Sequence, residues 1–178
     1  IVSAKAAPTL SSNGFSKMKE NQKDITVGVT DENNRLQYQW KFNSDTITQP
    51  DMDIDLTISF DTDRENEVKE ITGRDDLMYL SFGHHGALPG PATIKTYVGN
   101  KYKDGDIVYL YYFNEEQNRV ESVGGVNKGL VVKDGYVEYT ITYCSLYFLS
   151  QDTAEIIKAV DPDTADNNGQ VADVADTA

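Results

Sequence analysis

Cysteine and tryptophan occur once each and histidine only twice in the 178 residues, and Lys and Arg together number 16 against 29 Asp and Glu. Each scarcity excludes something. A lone Cys144 cannot form an internal disulfide framework, so the fold must rest on its packed core. Cys144 lies in the strand-like run Tyr143-Cys144-Ser145-Leu146-Tyr147 with no basic or histidine neighbour in sequence. That context marks a small buried hydrophobe and not a reactive thiol. The formal net charge of −13 opposes nucleic-acid binding, which draws on a basic surface that releases counterions from phosphates. No stretch approaches the roughly 20 apolar residues of a membrane-spanning helix.

Catalytic and metal signatures are also missing. His84-His85 is the only histidine pair, in a Gly/Pro-rich stretch, and Ser81 is the only near serine. No nucleophile elbow of the G-x-S-x-G type surrounds it. Two adjacent histidines seldom serve one metal unless other segments add ligands. Neither Asp-rich segment has the EF-hand spacing: after Asp61 and Asp63 come Glu65 and Asn66, where Asp/Asn and Gly are needed.

What is present is alternation. Ile25, Val27 and Val29 alternate with polar residues, the polar turn Asp31–Arg35 follows, and Leu36–Phe42 alternates again, which predicts a hairpin. Met52–Phe60 has the cleanest period of two, with Met52, Ile54, Leu56, Ile58 and Phe60 on one side and Asp53, Asp55, Thr57 and Ser59 on the other. Thr62-Asp63-Arg64-Glu65 has the form of a capping box, predicting a short helix to about Ile71 that Gly73 ends. Leu77–Phe82 and Ala92–Val98 are expected as two strands joined by a loop over 83–91. Ile107–Phe113 is a continuous apolar run, suited to a strand covered on both faces, and Arg119–Val123 returns beside it. Asp134-Gly135 between Leu130–Lys133 and Tyr136–Tyr143 is the strongest short hairpin signal, and Leu146–Leu149 closes the pattern.

Nine or ten short strands and little helix predict an all-β fold: a two-sheet, Ig-like β-sandwich with one short helix, each sheet hiding its apolar face against the other. Residues 1–22 read as a lead-in with a short helix near 16–21, residues 23–150 as the sandwich, and residues 151–178 as an acidic linker or tail. Ala4-Lys5-Ala6 fits the small-x-small pattern of a signal-peptide end. The last 28 residues hold six Asp, one Glu and one Lys and no aromatic. Beyond one short helix through Val160, such a segment cannot bury enough surface to offset its chain entropy.

Six segments carry a resemblance: Tyr38–Phe42, Pro50–Leu56, Leu88–Ile94, Asp106–Asn114, Asp134–Thr142 and Cys144-Ser145. Over 25–150 the sequence resembles a recurring module of secreted proteins from clostridial and ruminococcal bacteria. The resemblance implies a β-sandwich carried on larger surface or scaffold proteins. It supplies no catalytic residue and no ligand.

The expectation is therefore a non-catalytic extracellular module, secreted or on the cell surface. As a monomeric unit of a larger chain it would meet a protein or polysaccharide partner in a structural or adhesive role. The alternative is a carbohydrate-binding module that uses exposed tyrosines, with Tyr97, Tyr102 and Tyr112 as the candidates among eleven. Tyrosine also packs across strands with its hydroxyl wet, so core and platform roles compete at each position. No cofactor is expected. Asp51, Asp53 and Asp55, with Asp61 and Asp63 nearby, are the candidate Ca²⁺ ligands. The competing reading is a solvated strand face that deters edge-to-edge pairing.

Overall fold

The computed structural model describes residues 2–4 and 6–165. Its strands are β1 (Val2–Ala4), β2 (Thr9–Leu10), β3 (Ile25–Thr30), β4 (Leu36–Phe42), β5 (Ile54–Asp55), β6 (Ile58–Ser59), β7 (Met78–Tyr97), β8 (Ile107–Asn114), β9 (Arg119–Ser122), β10 (Leu130–Val131) and β11 (Tyr136–Ser150). Among the described residues four α-helices accompany them, α1 (Ser12–Glu20), α2 (Glu65–Thr72), α3 (Ala154–Ile157) and α4 (Pro162–Ala165), with one 3-10 turn at Ser44–Thr46. The expected all-β sandwich is the observed architecture. One sheet runs β1-β3-β4-β7-β11-β8-β10, with β6 on β7 and β9 on β8, and β2 pairs β5 in a second, two-stranded sheet.

The two layers of the sandwich share their longest strands. The second half of β7, from Ala92, lies between β4 and the first half of β11, while its first half lies between β6 and the second half of β11. The expected loop over 83–91 is thus part of a single 20-residue strand, and the expected break in β11 near Tyr143 is also absent. Between the pairs Tyr136–Tyr97 and Leu149–Met78, β7 uses six residues more than β11. The excess sits in two slips, Ala87–Ala92 opposite Ile141–Tyr143 and Ser81–Gly86 opposite Cys144–Leu146. Such bulges raise local twist and bend a strand, which turns one sheet into two facing layers. Pro89 and Pro91, which lack the N–H a ladder needs, fall inside the first slip.

The main core fills the space between the layers. Trp40 on β4 is fully buried and meets Phe82 on the opposite layer edge-on at 5.5 Å. Its indole N–H donates to the Leu56 carbonyl at 3.1 Å. The alternation over 52–60 holds for burial, with Ile54, Leu56 and Ile58 inside and Asp53, Asp55, Thr57 and Ser59 outside. The hydrogen bonding is split: β5 pairs β2, β6 pairs β7, and the chain changes edge at Leu56-Thr57. The Asp55 carboxylate accepts from the Thr57 N–H and hydroxyl there, forming a local turn that ends each ladder after two residues.

The continuous apolar run of β8 is covered on both faces, as expected. Val108 and Leu110 belong to the main core, whereas Tyr111 and Phe113 join a second cluster with Val68 of α2 and Ala154 and Ile157 of α3. α2 starts later than the capping pattern implied, because Thr62 accepts from the Arg64 N–H and Arg64 takes the N-terminal position without a side-chain cap. Gly73 ends it in the left-handed region, φ 69°. Asp134 and Gly135, with φ 54° and 81°, make the tight turn into β11, although β10 pairs with β8 and only Lys133 bridges to Tyr136.

The N-terminal segment differs from the expected lead-in. α1 covers the main core with Phe15 fully buried, its ring edge-on to Phe42 at 5.1 Å, and Met18 buried beside it. The expected boundary at residue 22 therefore cuts through the core. At the other end Val160 bridges Glu121, so the chain stays against the sandwich through 160; the remainder of the acidic tail, 166–178, lies outside the described residues.

Two outcomes follow from this packing. Phe15→Ala removes a fully buried ring and lowers stability by about 3–5 kcal/mol in denaturant unfolding; a loss below 1 kcal/mol would return α1 to the status of a lead-in. Burial pushes the Cys144 thiol up to about 12, so at neutral pH it stays protonated and shielded. A thiol reagent should therefore label it only as fast as the protein unfolds globally.

Candidate functional site

The sandwich has one corner where β11 crosses between layers, and an open cleft of about 630 Å³ lies there. Thr142, Tyr143 and Ser145, at and between the two slips, form one wall. Alternation breaks at this point: Thr142 and Tyr143 are both exposed before Cys144 turns inward. Tyr112 and Asn114 of β8 and Glu121 and Ser122 of β9 add a second side, the turn residues Glu115 and Glu116 the rim, and His85 and Pro162 the ends.

Three tyrosines make its aromatic surface. Tyr112 packs on buried Tyr147 with ring centres 5.3 Å apart, and Tyr143 stands edge-on to Tyr112 at 6.3 Å. The Tyr147 hydroxyl donates to the Tyr143 carbonyl at 2.7 Å, which holds the corner of β11 against the cleft floor. Tyr143 remains 46% exposed, one of the few large apolar side chains so open to solvent. Burial raises the Tyr112 phenol pKa, the nearby Tyr143 phenol and Glu121 carboxylate raise it further, and Ser145 pulls it back.

Glu121 opposes Tyr112 across the β8–β9 ladder, which puts both on the same face. Its side chain is buried, and one oxygen, Oε1, accepts from Asn114 Nδ2 at 2.9 Å and Arg119 Nε at 2.8 Å. Glu115 lies 3.6 Å from Arg64, a long contact shared with Glu67, which takes the same guanidinium at 2.9 Å. With Glu116 these carboxylates make the rim acidic. His85 is exposed, and among the described residues no carboxylate is hydrogen-bonded to it. His84 bonds to the Ala87 carbonyl at 3.1 Å and feels the charge of Asp55. Adjacent residues of a strand point to opposite faces, so the pair does not converge on one ion.

The tyrosines singled out from sequence do not share a site. Tyr112 lies in the cleft. Tyr97 lies on the open face of the other layer, against Tyr136 at 5.3 Å and under the Arg35 guanidinium at 4.9 Å, beside a groove of about 240 Å³. Tyr102, expected to be exposed, is only 5% exposed. Its N–H closes a turn onto Val98 and its hydroxyl donates to the Leu149 carbonyl at 3.2 Å, so it anchors the 98–106 loop to the core. Burial raises its phenol pKa, and the Asp76, Asp152 and Asp106 charges add to that. Tyr143, Tyr147 and the three glutamates were not singled out, because their convergence depends on the bend in β11; the only local sign is the lapse of alternation at Thr142-Tyr143.

Asp51, Asp53 and Asp55 also diverge in role. Asp53 accepts the Ser12 N–H at 2.7 Å, serving the first turn of α1. Asp55 is held by Thr57, whose hydroxyl and N–H lower its pKa. Asp51 is exposed. Among the described residues no three acidic, histidine or cysteine side chains gather as metal ligands would. No protein-family model matches the sequence, and no curated protein is significantly similar to it.

Asp53→Ala should lower stability by about 1 kcal/mol, the usual net cost of losing one hydrogen bond, and by the same amount with calcium or without it. Thermal unfolding of both proteins checks this. A calcium-dependent rise in wild-type melting temperature that Asp53→Ala abolishes would assign the cluster to a metal instead.

Proposed function

We propose that the chain is a non-catalytic adhesive module displayed outside the cell, and that it holds a polysaccharide strand in the cleft at the corner of the sandwich. The observation that carries this reading is Tyr143, half exposed beside Tyr112 in an open cleft of about 630 Å³. A pyranose ring offers an apolar face of axial C–H groups and an equatorial belt of hydroxyls. Tyrosine rings match the first, and the second is met by the Asn114, Thr142, Ser145 and glutamate side chains that line the cleft. The cleft is open, which suits an extended chain better than an enclosed small molecule. The resemblance to modules of secreted bacterial proteins supports the extracellular setting.

A second reading, attachment to a protein partner, draws on a different place. Ile107 and Val131 are register neighbours at the β8–β10 edge and are 51% and 60% exposed. Exposed apolar side chains grouped in this way offer a contact surface for another protein.

Pull-down on insoluble cellulose, xylan, mannan and chitin, followed by titration with the matching oligosaccharides, tests the polysaccharide reading. Retention on at least one polymer is expected, and Tyr143→Ala should weaken it about tenfold through lost ring contact without changing the melting temperature. Absence of retention on every polymer would reject it, as would full retention by Tyr143→Ala.

A further inference from the structure

The charges of the cleft are unequal in a way that its hydroxyl partners do not explain. Both hydrogen bonds of the Glu121 carboxylate fall on Oε1, and Oε2 has no partner among the described residues. The side chain as a whole is only 10% exposed, and Oε2 is the oxygen left free to meet a ligand. Its register partner Tyr112 faces the cleft, and so does Glu121. A carboxylate oxygen with its lone pairs free accepts most strongly from a charged donor. On the rim Glu116 has no cation within 4.0 Å among the described residues, and Glu115 shares its distant arginine with Glu67.

The rings add to the same preference. The face of a tyrosine carries negative charge from its quadrupole and attracts an ammonium group, most strongly where water is partly excluded. Tyr112 and Tyr143 present that surface within the same cleft as the free carboxylate oxygen. Aromatic faces combined with carboxylates are the chemistry that recognises a protonated amine. An anionic sugar would meet repulsion here, and a neutral one would leave Glu121 Oε2 with only a hydroxyl donor.

Resting on the polysaccharide reading, we propose that the cleft selects a glycan with free, protonated amino groups, a glucosamine-type polymer, and that Glu121 Oε2 accepts from the ammonium.

Titration calorimetry on the full chain tests this with four probes: β-1,4-linked glucosamine oligomers, their N-acetylated counterparts, cello-oligosaccharides and oligogalacturonates, all at a pH that keeps the amines protonated. The glucosamine oligomer should bind at least about tenfold tighter than the acetylated and neutral ones, and added salt should erode that advantage. Glu121→Gln should remove most of the preference, read as the ratio of amine to neutral affinity, with its melting curve recorded alongside. Because Glu121 is buried against Arg119, Glu116→Gln on the exposed rim provides a variant free of folding effects and should reduce the preference severalfold. Equal binding of amine, acetylated and neutral oligomers would overturn the amine selectivity, and a preference unchanged in both variants would overturn the role of Glu121; either result leaves the polysaccharide reading standing. Failure of every oligomer to bind would overturn both.

Discussion

The β7–β11 ladder is the constraint on which the rest of the molecule depends. It is the longest pairing in the chain, and both strands belong to both layers. Both ends of the ladder are paired, yet β7 has six residues more than β11 between them, so the ladder slips, and it does so twice within a few residues of Tyr143. Each slip bends the sheet, and the two together let a continuous hydrogen-bonded surface fold back over its own apolar side. The backbone groups freed in the longer strand find other partners. Gly83 donates to the Thr57 carbonyl, and the Pro89 carbonyl accepts from Thr48 and Gln49. Gly90 lies so near the Thr46 carbonyl that a β-carbon would clash with it, which explains a glycine between two prolines at the bend.

The core locks this geometry from inside. A continuous aromatic path runs from Phe15 through Phe42 and Trp40 to Phe82 and Tyr147, linking α1 to β4, across the layers, and out to Tyr112 at the cleft. Buried rings of this size contribute roughly 1.5–3 kcal/mol each through burial alone, and their edge-on contacts fix relative orientation besides. The floor of the cleft is thus the outer end of the core. Its tyrosines are held by packing on one side and remain open on the other, a preorganised surface that need not reorder on binding.

The same arrangement places charge. β9 lies on β8 so that Glu121 falls opposite Tyr112, while Arg119 and Asn114 occupy one oxygen of the carboxylate and hold its orientation. On the reverse face, α2 and α3 cover Tyr111, Phe113 and Phe148. β8 therefore serves an apolar layer with one set of side chains and the cleft with the other. The proposed glycan site, and its proposed liking for an amine, both grow from that division of faces.

Period-two alternation determined the fold class and the β3–β4 hairpin, the continuous apolar run the two-sided burial of β8, and the Asp-Gly pair the turn at Asp134-Gly135, since each depends on residues close in sequence. Alternation also determined which side of 52–60 is buried, though not that the hydrogen bonds change edge at Leu56-Thr57. Tertiary structure decided that α1 is core, that Tyr102 is an anchor and that 83–91 is strand, because those outcomes depend on what lies opposite. Phe15 looks the same in a lead-in as in a core until Phe42 is beside it. The cleft was decided last of all: Tyr112 and Glu121 meet across the local β8–β9 hairpin, but Tyr143 joins them only where the register slips bend β11, and a register belongs to a pair of strands, never to one stretch of sequence.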